Sequence, residues 1–336
     1  MTKRMGILDV ARQAGVSSAS VSRVLSGQPV VSEETQAKVL AAIADLGFRP
    51  NQIAQGLRRG RTTTIALLVG DIEQGVYASL TKEIQLALEK LGLDLLLYNL
   101  GHSQERLANI LARADSMHLH GIVIATSDTL SAANISLLSS KIEEQDLPVF
   151  AIGLSLHEYG IPSIVYDDRE AVARSVDFLL RTYGGPVAYL GRISGSAAGA
   201  ERFGGYESAL AAAGIRKAPE LVWDAAFRYP AGFESVRRAL SEGVEFRAVQ
   251  AGSDELALGA IAAIHAHGLK IPDDVAIVGI GNVESSAYYT PSLTTHGASA
   301  ESIAKTLLER LGNREAESAA PLLTKLSRPF IRRASA

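Results

Sequence analysis

The spacing of apolar residues changes near residue 62 and divides the chain into two parts. In the first part apolar residues recur at helical spacing, which predicts helices at about 7–14, 17–25 and 33–46. Gly15 and Gly47 follow the first and third of these segments, and glycine readily takes the left-handed conformation that ends a helix. The first sixty residues are therefore predicted to be entirely helical.

From residue 64 onward, continuous apolar runs alternate with stretches of helical periodicity. The predicted strands lie at 65–69, 93–98, 122–125, 149–152, 187–190, 248–251 and 275–280. The predicted helices lie at 77–91, 106–117, 169–181, 202–213, 232–242 and 255–267. Continuous apolar strands connected by helices are typical of parallel sheets covered on both faces. About 270 residues of this pattern predict an α/β core of two doubly wound parallel-sheet lobes with a cleft between them.

Composition narrows the class of protein. None of the 336 residues is cysteine, which excludes disulfides, thiolate nucleophiles and cysteine-ligated zinc or iron–sulfur sites. The apolar runs are too short to cross a bilayer, and the first residues lack the apolar segment of a secretion signal. We expect a cytoplasmic protein that does not enter membranes.

The formal net charge of −3 is unevenly distributed. Residues 1–62 contain nine Lys and Arg against four Asp and Glu, a net charge of +5, and the remainder carries −8. A basic head on an acidic body is typical of a polyanion-binding module attached to a second functional part. Charge alone also fits a basic segment that is merely solvated.

The first two predicted helices have the spacing of a helix-turn-helix. Ala11 is small enough for two helices to cross closely, Gly15 occupies the turn, and Val21 and Val24 are positions that the second helix can bury. In a DNA-binding motif of this kind the start of the second helix enters the major groove. The exposed candidates for DNA contact are Ser17, Ser18, Ala19, Ser22 and Arg23. Helical hairpins in enzymes have similar spacing, so this pattern alone does not decide the function.

Several ordered segments give the sequence a more specific resemblance. The head contains DVARQAGVSSASVSRVLSG and VSEETQAKVLAAIADLGFRPNQIAQGL, and the body contains ERFGGYESALAAAG, SDELALGAIAAIHAHGLKIPDDVAIVGIGN and PSLTTH. These segments resemble landmarks of the lactose/galactose repressor family of bacterial transcription regulators. The resemblance implies a helix-turn-helix head at residues 1–49 and a bilobed, periplasmic-binding-protein-like effector core at residues 63–336.

The resemblance also implies roles for residues of the head. Ser18, Ala19 and Arg23 fall where the family reads base edges, and arginine is suited to a bidentate hydrogen bond with guanine. A non-specific phosphate contact is the alternative role for Arg23. Contacts with phosphates, which set the register on DNA, are expected from Ser17, Ser22 and Asn51.

Residues 50–62 are expected to form the hinge and linker, because PNQIAQGL at 50–57 resembles the family's hinge helix. In the family a leucine at the position of Leu57 wedges into the minor groove, and such wedges kink DNA. Ala54 is expected to contact DNA from the same helix. Gly56 costs about 1 kcal/mol relative to alanine in a helix, so we expect folding only when two copies pair on DNA. A linker that never folds is the alternative.

By the same resemblance, the effector site lies between the lobes, at the carboxyl ends of the strands. Arg202 matches an arginine that hydrogen-bonds the effector, Phe227 matches a residue that packs on a sugar or base ring, and Asp254 matches a conserved acidic position of the family. A helix-start salt bridge for Arg202 and ordinary packing for Phe227 are the alternatives. The expected effector-binding residues are Tyr77, Thr126, Arg202, Phe227, Ser253, Asp254 and Gly281.

Three departures from the family pattern bear on the effector. Ser253 replaces the usual asparagine before Asp254, Gly153 stands where many members have aspartate, and Gly281-Asn282 replaces two aspartates. Two carboxylates that bind sugar hydroxyls are thus missing near a retained arginine, which lowers the cost of burying an anion. A sugar acid or phosphorylated sugar is therefore expected in preference to a neutral sugar.

An enzyme or a solute-binding transport protein with the same core is the competing class. Gly279-Ile280-Gly281 lacks the third glycine of a dinucleotide fingerprint, because Glu284 occupies that position. We expect no enzymatic activity, no cofactor and no metal site. A transport protein would carry a secretion signal in place of the DNA-binding head. We expect a homodimer on a pseudo-palindromic double-stranded DNA operator, since the C-terminal residues lack the leucine heptads of a tethered tetramer.

Overall fold

The computed structural model describes residues 5–25, 31–48, 62–311 and 321–336. The chain divides into two compact units, Met1–Thr63 and Thr64–Ala336, which are described separately. Among the helices within the described ranges, none is both long enough and apolar enough to span a membrane.

In its described part, the first unit consists of three short helices around a small core. They are α1 (Ile7–Ala14), α2 (Ser18–Leu25) and α3 (Glu33–Asp45). Gly15 ends α1 at a φ of 65°, a conformation that glycine adopts without strain. Val10, Val21 and Val39, one from each helix, are fully buried in a single apolar cluster. The three helices predicted from apolar periodicity are confirmed.

The second unit contains two six-stranded sheets, and the first sheet with its helices is called the first lobe. Its strands are β1 (Thr64–Val69), β2 (Asp94–Asn99), β3 (Gly121–Ala125), β4 (Val149–Ile152), β5 (Ser163–Tyr166) and β11 (Leu323–Leu326). All are parallel, in the order β11-β5-β4-β3-β1-β2. The helices that pack on this sheet are α4 (Gly75–Glu89), α5 (Gln104–Met117), α6 (Ala132–Gln145) and α11 (Ala300–Leu311).

The second sheet with its helices is called the second lobe. Its strands are β6 (Val187–Gly191), β7 (Val222–Asp224), β8 (Ala248–Ala251), β9 (Ala276–Ile280), β10 (Thr294–His296) and β12 (Phe330–Ile331). The order is β12-β10-β9-β8-β6-β7, and β12 pairs with β10 antiparallel whereas the other neighbours are parallel. Its helices are α7 (Asp168–Tyr183), α8 (Ala197–Ala212), α9 (Tyr229–Ser241) and α10 (Asp254–Ala266).

Burial on both faces explains why the central strands are continuously apolar. In β1, Ala66 and Leu68 pack in the core beneath α5 and α6, whereas Ile65 and Leu67 pack in the core beneath α4 and α11. Successive side chains of a strand point to opposite faces, so every position must be apolar. The predicted two-lobed parallel architecture follows directly from this pattern.

All seven predicted strands and all six predicted helices of the core are present. The sequence did not predict α6, α11 or the strands β5, β7, β10, β11 and β12. Four of these strands contain polar residues that interrupt the apolar run, and β12 contains only two residues, so none of the five gives a recognisable apolar run. Three of the strands that were not predicted, β5, β10 and β11, lead into the connections between the lobes.

The chain passes between the lobes three times within the described residues. The passages run from β5 to α7, from β10 to α11 and from β11 to β12. Asp167 ties two of these passages together, because its Oδ1 atom accepts a hydrogen bond of 2.6 Å from the backbone N–H of Arg328. Its Oδ2 atom accepts a hydrogen bond of 3.1 Å from Arg174 of α7.

Candidate functional site

A cavity of about 290 Å³ lies between the two lobes of the second unit. Its wall includes residues at or just beyond the carboxyl ends of parallel strands. Thr126 and Ser127 follow β3, Gly153 follows β4, and Gly281 follows β9. Loops at the carboxyl edge of such sheets are the usual location of ligand sites in α/β proteins.

Six of the seven residues expected in an effector site line this cavity: Tyr77, Thr126, Arg202, Phe227, Ser253 and Gly281. Tyr77 in α4 and Thr126 after β3 belong to the first lobe, and the other four belong to the second lobe. The cavity wall is therefore shared between the lobes.

Arg202 is held in a fixed position at the cavity wall. It is buried in α8, where its Nε atom donates a hydrogen bond of 3.0 Å to Asp168 Oδ1 and its Nη1 atom donates one of 2.7 Å to the Gly252 carbonyl. Burial opposes ionisation of Asp168, but the nearby Arg202 and Arg328 guanidinium groups hold the pKa of its carboxyl below the ordinary value. Arg202 thus forms the ion pair that was expected as its alternative role, and it also lines the cavity.

Aromatic groups supply flat faces at the same wall. The Arg202 Cζ atom lies 5.5 Å from the centroid of the Phe227 ring, and Phe227 is only 3% exposed. Burial raises the pKa of Tyr77 to about 12, so its hydroxyl remains protonated at neutral pH. The wall therefore combines a cation, aromatic surface and neutral hydroxyl groups.

Asp254 does not line the cavity, in contrast to its expected place in the effector site. The residue is fully buried, its Oδ1 atom accepts a hydrogen bond of 2.5 Å from Thr295 Oγ1, and its Oδ2 atom accepts one of 2.9 Å from Val283 N–H. The two oxygens thus fix the loop after β9 and strand β10 against α10. Burial raises the pKa of this carboxyl to about 7.

Sequence reasoning missed two charged residues of the wall, Glu255 and Arg328. Glu255 follows Asp254 directly, and its Oε1 atom accepts a hydrogen bond of 3.0 Å from the Gly75 N–H at the start of α4. Of these two adjacent residues, Glu255 is the one whose carboxylate lines the cavity. Arg328 lies in the β11–β12 connection, for which no strand was predicted, so the sequence offered no signal for it.

The head presents its expected DNA-contacting residues on α2 and the residue before it. Ser17, Ser18, Ala19 and Arg23 are exposed, and Ser22 is half-buried. The Ser17 Oγ atom accepts a hydrogen bond of 3.1 Å from the Ser20 N–H, which stabilises the first turn of α2. The remaining expected DNA contacts, Asn51, Ala54 and Leu57, lie outside the described residues.

Comparison with known protein families accounts for both units. The family described as "Bacterial regulatory proteins, lacI family" matches residues 6–51, and "Periplasmic binding proteins and sugar binding domain of LacI family" matches residues 62–333. The chain belongs to the LacI family. Membership confirms the resemblance inferred from sequence and supports a DNA-binding transcription regulator over a solute-binding transport protein.

Individual relatives of this LacI-family protein cover nearly its whole length. Catabolite control protein A of Priestia megaterium is 30% identical over 290 residues, 86% of each chain. A structure titled "transcriptional regulator CelR-cellobiose complex" is 26% identical with a TM-score of 0.71, covering 99% of this chain and 100% of that one. The Lac repressor dimer bound to operator and the anti-inducer ONPF has a TM-score of 0.84 at 24% identity, covering 99% of both chains, and confirms the fold.

Proposed function

We propose that this LacI-family regulator binds a two-fold-symmetric operator as a homodimer, and that a small sugar-like metabolite in the cavity changes its operator affinity. The observation that carries the proposal is the cavity between the lobes, whose wall is contributed by both lobes and includes Arg202, Phe227 and Thr126. A ligand that touches both lobes stabilises one relative position of the lobes over others.

We assign the DNA-binding function to residues 1–49 and the hinge function to residues 50–62. Ser18, Ala19 and Arg23 read base edges in the major groove, in keeping with their positions on or beside the exposed face of α2. Contacts with the DNA backbone and minor groove are assigned to Ser17, Ser22, Asn51, Ala54 and Leu57. Because this activity requires chromosomal DNA, we place the protein in the cytoplasm and assign it no catalytic step.

We assign the effector-binding function to residues 63–336, with contacts from Tyr77, Thr126, Arg202, Phe227, Ser253 and Gly281. Hydroxyl groups of a sugar match the hydrogen-bonding groups of the wall, and the C–H face of a pyranose matches the Phe227 ring. The similar CelR regulator was solved as a complex with cellobiose, which supports a ligand of this class. By linkage, effector and operator alter each other's affinity by the same factor, typically corresponding to 1–3 kcal/mol.

The experiment begins with selection of binding sites from randomised duplex DNA by the full chain. We expect enrichment of a two-fold-symmetric sequence, because each head of a homodimer reads one half-site. Gel-shift titrations on the selected duplex, with and without a panel of sugars and sugar acids, then identify compounds that change operator affinity.

A pair of matched variants tests the assignment of the cavity. Phe227→Ala is expected to keep operator binding and lose the response to the active compound. Phe246→Ala truncates a second phenylalanine of the same lobe, which packs on Trp223 and does not line the cavity, and should retain the response. Selection of DNA without two-fold symmetry, or an unchanged response in Phe227→Ala, would contradict the proposal.

A further inference from the structure

Arg328 is a second buried cation of the cavity wall. It is 7% exposed and lines the cavity from the β11–β12 connection, where the chain passes from the first lobe to the second. Its guanidinium carbon lies 3.9 Å from the centroid of the Tyr166 ring, so the planar group is stacked on an aromatic face. The backbone of Arg328 is fixed by hydrogen bonds from its N–H to Asp167 and from Arg174 to its carbonyl.

The Arg328 guanidinium lacks the hydrogen bonds that a buried arginine normally makes. Its Nε atom lies 2.8 Å from Asp168 Oδ1 but is not aligned for a hydrogen bond, and it has no other partner among the described residues. Buried polar groups are normally paired, because an unsatisfied donor loses the hydrogen bonds that it makes to water. The Nε atom faces the Asp168 carboxylate, whereas the Nη atoms of Arg328 make no hydrogen bond to the described residues and are available to a ligand in the cavity.

The charges around Arg328 do not balance. Asp168 Oδ1 is shared by Arg328 and Arg202, which lie 2.8 and 3.0 Å away, so two guanidinium groups face one buried carboxylate. The neighbouring Asp167 carboxylate is paired with Arg174. Around Asp168 there is therefore one guanidinium group more than there are carboxylates, and burying such a charge is costly unless an anion accompanies it. The other carboxylate of the wall, Glu255, is hydrogen-bonded to the start of α4 and balances this charge only for the wall as a whole.

Helix orientation adds to the positive potential at the wall. The first turns of α4 and α11 contribute Val76 and Ala300 to the cavity lining. Helix N-termini carry partial positive charge, which favours anions nearby. The carboxylate of Glu255 also lines the cavity, but it accepts the hydrogen bond from Gly75 at the first residue of α4.

We propose that the effector carries an acidic group, a carboxylate or a phosphate, which Arg328 binds together with Arg202. This inference rests on the proposed function only in taking the cavity as the effector site. Arg328 stacked on Tyr166 presents a rigid, planar set of donors that matches a carboxylate or phosphate in a bidentate arrangement. Phe227 then packs against the uncharged remainder of the ligand.

The test compares one neutral sugar with its acidic derivatives by calorimetry on the full chain. The probes are glucose, glucuronate, glucose 6-phosphate and inorganic phosphate, each at ionic strength matched with chloride. In the wild type we expect at least one anionic probe to bind more tightly than glucose. Glucuronate and glucose 6-phosphate distinguish a carboxylate from a phosphate as the acidic group.

Arg328→Gln should weaken binding of the anionic probes by about tenfold to a hundredfold, since hydrogen bonds to charged groups are the strong ones. Binding of glucose, if any, should weaken less than binding of the anionic probes. Arg332→Gln is the matched control, because Arg332 also stacks on an aromatic ring, Phe178, but is exposed and outside the cavity. Arg328→Lys keeps the charge and should retain part of the anion affinity, which separates loss of charge from loss of folding.

Anionic probes that bind no more tightly than glucose, or equally well to wild type and Arg328→Gln, would overturn the inference. Failure of the proposed function is seen separately. If anionic probes bind through Arg328 but no DNA sequence is selected, or no bound probe alters operator affinity, the anion site stands and the regulatory proposal fails.

Discussion

Arg192 Nη1 donates a hydrogen bond of 2.5 Å to Asp128 Oδ1, and these two residues belong to different lobes. Arg228 of the second lobe makes a corresponding ion pair of 2.6 Å with Asp71 of the first lobe. Asp128 is linked to the cavity wall, because its Oδ2 atom accepts a hydrogen bond of 3.0 Å from Thr126 Oγ1. The relative position of the lobes in this structure is therefore stabilised by ion pairs near the cavity.

We expect Arg192→Gln to favour separation of the lobes. The backbone N–H of Ala197 donates across the cleft to the Ser127 carbonyl at 2.8 Å, and the N–H of Gly75 donates across it to Glu255. Without the Arg192–Asp128 pair, hydrogen exchange at Ala197 and Gly75 should be on the order of fivefold faster, because a partly buried charge-assisted contact is lost. Exchange measured by mass spectrometry on the full chain checks both amides.

Gly75 discriminates a movement of the whole lobe from local fraying, because its contact across the cleft is made by Glu255 and not by Arg192. Arg237→Gln is the control, since Arg237 pairs with Glu234 inside α9 and its loss should change neither amide. Faster exchange at Ala197 alone would show that the ion pair orders only its surroundings.

Stability should depend on pH through Asp254. Burial raises the pKa of this carboxyl from 3.8 to about 7, so between these values the folded protein holds a proton that the unfolded chain has released. The contribution of Asp254 to the free energy of unfolding therefore falls as pH rises from about 4 to about 7, by on the order of 4 kcal/mol. Asp254→Asn should change stability little near pH 4 and increase it above about pH 7.

Urea denaturation of wild type and variant across this pH range measures the difference. The comparison is needed because His296 has the opposite effect: burial lowers its pKa to about 4, so its contribution is lost as pH falls. The asparagine amide can donate to Thr295 and accept from Val283, which preserves both contacts of Asp254.

Asp177→Asn is the control, because Asp177 forms an exposed pair with Arg181 and its replacement should show no such pH-dependent gain. A parallel pH profile in both variants would count against a raised pKa at Asp254.

The fold of the two lobes could largely be predicted from the sequence, but the order of their strands could not. Long apolar runs and helical periodicity predicted both lobes correctly, because a strand buried on two faces leaves an unambiguous pattern. Arg202 and Phe227 were expected in the effector site through the resemblance to the repressor family, whereas Tyr77 and Thr126 were expected there because they follow strands whose carboxyl ends face the cleft. The order of strands in each sheet was not predicted, since it depends on pairing between segments far apart in sequence.

The differences between the expected site residues and the cavity lining have local physical causes. Asp254 and Glu255 are adjacent, and only the position of Thr295, on another strand, explains why Asp254 points away from the cavity. Arg328 and Asp168 lie at passages between the lobes, where short strands leave little periodicity. The expectation of an anionic effector was based on carboxylates that the family has and this chain lacks. The structure shows that Glu255 and Asp168 supply carboxylates at or near the wall and that Arg328 supplies a second arginine.

Val21→Ala should selectively destabilise the head. Val21 is fully buried between the helices, and truncating it removes two methyl groups and leaves a cavity, at a cost of about 2 kcal/mol. Differential scanning calorimetry should show a lower transition temperature for the head and an unchanged transition for the core. Leu40→Ala, at a position 52% exposed in α3, is the control and should have little effect. Equal effects of the two variants would contradict the three-helix core.

Arg23→Ala should weaken operator binding by about tenfold to a hundredfold if Arg23 reads a guanine, since a bidentate contact contributes about 1–3 kcal/mol of discrimination. Specificity should relax at one position of each half-site.

If Arg23 instead contacts a phosphate, affinity should fall equally for all sequences and the slope of affinity against salt should decrease by about one per head. Arg12→Ala is the control, because Arg12 is an exposed arginine of α1 paired with Asp9. Gel-shift titrations on operator and single-base variants at several salt concentrations distinguish these outcomes, and an equal loss in Arg12→Ala would show that Arg23 contributes only general positive charge.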